Sequence, residues 1–144
     1  MGAHYPSCMR YKFFRHTADA MYQAYGKTIE EAFSNAASAM FSVMVDVDKV
    51  QPKVKRTVAA EGSDYGALLY NFLEELIFLI DTEGFLLSDI EDIKIKDNRL
   101  EATAIGDTDI DSYEHSGDVK AVTYNNMFVK EDKGRWVVQV VLDL

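Results

Sequence analysis

Cysteine and proline are nearly absent from this sequence: one cysteine, Cys8, and two prolines stand among 144 residues. A lone cysteine has no internal partner, which excludes a disulfide framework and argues against a structural zinc cage. The three histidines, His4, His16 and His115, show no metal-ligand spacing. No glycine-rich phosphate loop follows any apolar segment, and no serine or cysteine sits in a nucleophile elbow, so ordinary catalytic signatures are missing. Long hydrophobic runs are missing too. Nothing approaches the roughly 18 apolar residues of a membrane span or the charged-then-apolar pattern of a secretion signal, and the expected setting is therefore the cytoplasm. Basic residues are also scarce, with Lys+Arg 15 against Asp+Glu 24 and a formal charge of −9. The excess of acid is concentrated between Asp81 and Asp118. Such a surface repels phosphate backbones, so direct nucleic-acid binding is not expected, whereas a basic protein partner or a divalent cation suits it. Solubility alone also explains an acidic surface.

What is present is apolar material, 48% of the chain, enough for one domain with a sizeable core. "MGAHYPSC" has little periodicity; residues 1–10 are read as a tail outside the fold, with Met9 as an alternative start, and 11–144 as the domain. "YKFFRH" and "MYQAYG" read as short aromatic strands joined by "TADA". Thr28 followed by Glu31 forms a capping box, and Ile29, Ala32, Phe33, Ala36, Met40 and Met44 then recur at helical spacing as one core-facing stripe. "VKRTVAAEG" reads as a strand stopped by Gly62, after which Ser63 or Asp64 caps a second helix. There, Leu68, Leu69, Phe72, Leu73, Leu76, Ile77, Leu79 and Ile80 cover most of the circumference, the pattern expected of a buried, central helix. From Gly84 onward the pattern is β, in four segments with hairpin turns at "KDN" and "EDKG". The expected architecture is α+β: a single domain of two main helices packed on antiparallel or mixed sheet.

Several polar constellations stand out against this pattern. In "GDTDIDSYEHSGD", Asp107, Asp109, Asp111 and Asp118 echo the spacing of a calcium loop, but Ser112 stands where the sharp turn needs glycine and the flanks read as strands. A solvated acidic loop is the better reading. Glu74 and Glu75 lie inside the apolar helix, where adjacent side chains diverge by about 100°, so a structural role outweighs paired acid-base work. The closing "VVQVVLDL" puts Asp143 on a face with Val137, Gln139 and Val141, while Trp136, Val138, Val140, Leu142 and Leu144 face the other way. If this segment neighbours "HTAD", residues 16–19, then Asp19, Asp143 and an oxygen of Leu144 converge. Clustered carboxylates repel unless protonated or bridged, and a hard cation such as Ca²⁺, Mg²⁺ or Mn²⁺ relieves the repulsion. On spacing alone, two separate, solvent-facing aspartates near the chain ends are the slightly better reading.

Five blocks, "HTAD", "AYGKTIEEAFSNAASAMFSVM", "LLYNFLEELIFLIDTEGFL", "VKAVTY" and "VVLDL", occur in the order found in the archeases, and the chain resembles that family from about Tyr11 to its last residue. The resemblance implies an accessory factor of an RtcB-type RNA ligase in tRNA splicing and RNA repair. It would promote guanylylation of the ligase's histidine by GTP and have no catalysis of its own. It also implies a divalent-metal site, calcium foremost, with Asp19, Asp143 and a main-chain or terminal oxygen of Leu144 as ligands, and Lys120 as the residue engaged in activation. Asn125 stands where the family commonly has histidine, and "AM" follows "HTAD" in place of a small or aliphatic pair. Two other classes remain open on the residues alone: a small metal-dependent hydrolase using Asp19 and Asp143, and a chaperone-like acidic scaffolding module.

Overall fold

In the computed structural model, which describes residues 9–14 and 19–144, the chain starts with two short strands, β1 (Tyr11–Phe14) and β2 (Ala20–Gly26). They pair antiparallel, with Tyr11 opposite Ala24 and Phe14 opposite Met21. Arg10 already joins this pairing, its carbonyl accepting from the Tyr25 amide at 2.9 Å. The tail over residues 1–8 and the His16, Thr17 and Ala18 of "HTAD" lie outside the described residues.

Helix α1 (Ile29–Ser42) opens on its expected cap: the Glu31 amide donates to Thr28 Oγ1 at 3.1 Å. The return arm reaches one residue further than a standard box, with the Lys27 amide donating to Glu31 Oε1 at 2.7 Å. Ile29, Ala32, Phe33, Ala36, Met40 and Met44 are all buried, and so are Ala37, Ser38, Ala39 and Phe41. The run from Ala36 to Phe41, more than one full turn, is therefore enclosed on every side. Its alanines allow close approach, and the wholly buried Tyr22 hydroxyl uses that proximity to donate to the Ala36 carbonyl at 2.9 Å.

Strand β3 (Val54–Glu61) leads into helix α2 (Tyr65–Glu83), capped by Asp64, whose Oδ1 accepts from the Ala67 amide at 2.8 Å. Gly84 closes the helix at φ 66°, the left-handed conformation in which glycine meets no Cβ penalty. The expectation that α2 is the central, all-round buried helix is corrected here. Leu68, Leu69, Phe72, Leu73, Leu76 and Ile77 are buried, but Leu79 and Ile80 are only half-buried and Asn71, Glu75 and Phe78 face solvent. Its neighbours explain this. α2 rests mainly on β3 and on β6 (Ala121–Asp132), both edge strands, whereas α1 is held between the two sheets, against β2 and β7 (Arg135–Asp143), the inner strands of one, and against the strand that follows α2 in the other.

Between them run β4 (Leu86–Lys96) and β5 (Arg99–Asp107). The strands form two sheets, ordered β1-β2-β7-β6 and β3-β5-β4, and every neighbouring pair is antiparallel. The two hairpins turn where the sequence signals them. Asp97 and Asn98, at φ 54° and 58°, join β4 to β5, and Lys133 and Gly134, at φ 53° and 80°, join β6 to β7. Two consecutive positive φ values define the primed turn whose twist matches that of the strands. Together the two helices and two sheets make one α+β domain. No helix among the described residues is long and apolar enough to cross a membrane.

Candidate functional site

Along β7 the alternation holds. Val138, Val140 and Leu142 enter the core, while Gln139 turns to the other face and meets its register partner Gln23, Nε2 to Oε1, at 3.0 Å. Ala20 of β2 pairs with Leu142, and continuing that register by one residue sets Asp19 across from Asp143. On the opposite flank Ala121 of β6 pairs with Asp143, and the Lys120 amide donates to the Asp143 carbonyl at 2.9 Å. Three strands thus bring Asp19, Asp143 and Lys120, far apart in the chain, to one end of one sheet. Asp19 is half-buried, and Asp143, Leu144 and Lys120 are exposed.

The donors offered there, two carboxylates and main-chain oxygens, are all hard and suit Ca²⁺ or Mg²⁺ better than a thiophilic metal. Among the described residues no group of three or more His, Cys, Asp or Glu side chains is assembled anywhere. A cation at this end of the sheet therefore needs backbone oxygens or water beyond Asp19 and Asp143, which is the ordinary habit of these ions.

The acidic loop is organised from within. Asp107 is buried, and its Oδ2 accepts from the Tyr113 hydroxyl at 2.7 Å while Oδ1 accepts from the Asp109 amide at 3.1 Å. The Tyr113 bond above all, then the Asp109 amide and the nearby Lys53, hold its carboxyl below the usual aspartate range. Asp109 Oδ2 in turn accepts from Ser112 Oγ at 2.6 Å. These carboxylates already have protein donors, which fits a structural loop and not a calcium cage. The broad cleft beside it, lined by Asp46, Lys49, Lys53, Tyr113 and His115, shares no residue with the Asp19 and Asp143 end.

Glu74 has the structural role expected of it, accepting from the Val122 amide at 3.3 Å, while Glu75 faces solvent. Sequence reasoning missed two features nearby. Tyr70 of α2 stacks on Tyr124 of β6 with centroids 4.1 Å apart and planes 6° from parallel, and Tyr113 bridges Asp107 to the Gln51 amide. Single tyrosines outside any periodic stripe carry no pairing signal in a sequence.

Residues 11–144 match the model of the archease protein family (MTH1598/TM1083). Protein archease of Thermococcus gammatolerans is 44% identical over 141 residues, covering 94% of this chain and 99% of that protein. Its counterpart in Pyrococcus abyssi is 43% identical with the same coverage. Among solved structures, the solution structure of Methanobacterium thermoautotrophicum Protein 1598 superposes with a TM-score of 0.81 at 41% identity, over 93% of this chain and 98% of that one. A crystal structure from Thermotoga maritima, of "an archease, possible chaperone", gives a TM-score of 0.62 at 20% identity, covering 92% and 96%, a likeness of fold alone.

Proposed function

Since this chain belongs to the archease family, we propose that it is an accessory activator of an RtcB-type RNA ligase, promoting GTP-dependent guanylylation of the ligase's histidine so that the ligase turns over repeatedly. The observation that supports this reading is the strand register at one end of the β2-β7-β6 sheet: the Lys120 amide bonds the Asp143 carbonyl, and the Ala20–Leu142 pairing, continued by one residue, sets Asp19 across from Asp143. These are the residues that the family resemblance implies.

In this reading Asp19 and Asp143 hold a divalent cation, Ca²⁺ foremost, and Leu144 adds a main-chain or terminal oxygen. When bound, the cation supplies positive charge for phosphate oxygens. Opposed carboxylates would otherwise repel both each other and any nucleotide. The exposed Lys120, fixed through its backbone to Asp143, offers a mobile ammonium to the same oxygens. The protein has no turnover of its own and binds a protein, not RNA, in keeping with its charge of −9.

The deciding assay is guanylylation of a cognate ligase by GTP, with and without the protein, comparing wild type with Asp143→Ala. Acceleration by wild type and not by the folded variant supports activator and site together. Equal acceleration removes the site, no acceleration removes the activator role, and GTP or RNA-phosphate turnover by the isolated protein would favour a hydrolase.

A further inference from the structure

Resting on the reading that a ligase is the partner, the geometry points to the seam between α2 and β6, centred on Phe78, as the surface that docks a basic, apolar-pocketed face of that ligase. Tyr70, Glu74 and Phe78 follow one another at four-residue spacing on one stripe of α2. The stripe lies along β6. Tyr70 stacks on Tyr124 at 4.1 Å, and one turn later Glu74 accepts from the Val122 amide at 3.3 Å. Each turn up the helix is thus two residues back along the strand, and continued at that pitch the next turn sets Phe78 level with Lys120, the residue before β6. The seam therefore runs directly into the end of the sheet that carries Lys120 and Asp143.

Phe78 is 60% exposed and Tyr124 57%, more than any other large apolar side chain among the described residues. The core does not need Phe78, because the opposite face of α2 is filled by its own leucines and Phe72. Charge identifies the occupant. Glu74, Glu75 and Asp81 lie within one turn of Phe78, and α2 contains no lysine or arginine. An aromatic anchor flanked along its own helix by the exposed carboxylates of Glu75 and Asp81 complements a pocket rimmed by lysine and arginine. A ligase that binds RNA ends must present cationic surface, since phosphate affinity comes from such residues.

The test pairs binding with activation. Association of the cognate ligase with wild type, Phe78→Ala, the double variant Glu75→Lys/Asp81→Lys, and the control Glu91→Lys on β4 is measured by interferometry at low and moderate salt. Guanylylation is then followed at saturating protein. Phe78→Ala is expected to weaken association about 10-fold or more while leaving the saturated rate within about twofold. The double reversal should weaken association and flatten its salt dependence, and Glu91→Lys should behave as wild type. Melting curves check that each variant is folded. If Phe78→Ala and the double reversal bind as wild type while Asp143→Ala abolishes activation, the docking surface is wrong and the activator reading stands. If wild type neither binds nor activates, both fall.

Discussion

Tyr113 and Asp107 are joined by a 2.7 Å hydrogen bond that ties the acidic loop to the end of β5, the phenol donating to a buried carboxylate. The same hydroxyl accepts from the Gln51 amide at 3.0 Å, so one side chain links three segments. Because the folded state holds the Asp107 carboxyl below its unfolded value, the bound form is the ionised one. The resulting stability is fully present above the unfolded pKa, about 3.9, and is lost as pH falls through the lower folded value. Asp107→Asn should flatten the acid limb of a stability-against-pH curve below about pH 4, and Tyr113→Phe should do so partly. Acid limbs that coincide with wild type in chemical denaturation would refute this.

Tyr22→Phe removes the hydroxyl that reaches the Ala36 carbonyl from the buried centre of β2. The carbonyl keeps its place in the helix ladder, so the expected loss is about 1 kcal/mol in urea unfolding. A loss above about 3 kcal/mol would mean that the hydroxyl does more than this one bond.

Gly106→Ala should be far costlier. A methyl group there would overlap the Leu86 carbonyl oxygen on the paired strand, and that oxygen belongs to backbone that cannot step aside. A destabilisation of about 3 kcal/mol or more is expected, since strain is added inside a packed sheet. Thermal unfolding within a few degrees of wild type would show that β4 and β5 can separate at that point.

Calcium titration isolates the proposed cation site from any question of activation. Wild type should bind the ion, and the neutral variants Asp19→Asn and Asp143→Asn should each weaken binding about 10-fold or more, with a double variant that is hardly worse than either single one. Bound ion should also raise the melting temperature of wild type by linkage. Unchanged calorimetric heats in both single variants would separate the aspartates from metal binding.

How legible this was depends on range. Thr28, Asp64, Lys133 and Gly134 act within a few residues of themselves, so caps and hairpins could be read directly. The exposure of Phe78 could not, because counting apolar residues around α2 ignores that the helix rests on two edge strands. For the site, alternation along β7 fixed the face of Asp143, but its opposition to Asp19 depends on a pairing between segments more than a hundred residues apart, for which only the family resemblance spoke. Tyr113 lies in a loop without periodicity, and nothing local announced Asp107 as its partner.

The long reach between β2 and β7 also bears on how the molecule comes together. Gln23 and Gln139, separated by 116 positions, face each other in the middle of a four-stranded sheet. During synthesis β1 and β2 emerge early and hold an open inner edge until β7 appears, while β3, α2, β4 and β5 can condense among themselves from neighbouring segments. Closing so large a loop places refolding among the slower domains, from milliseconds to about a second, and makes that waiting edge the place where two nascent chains would meet.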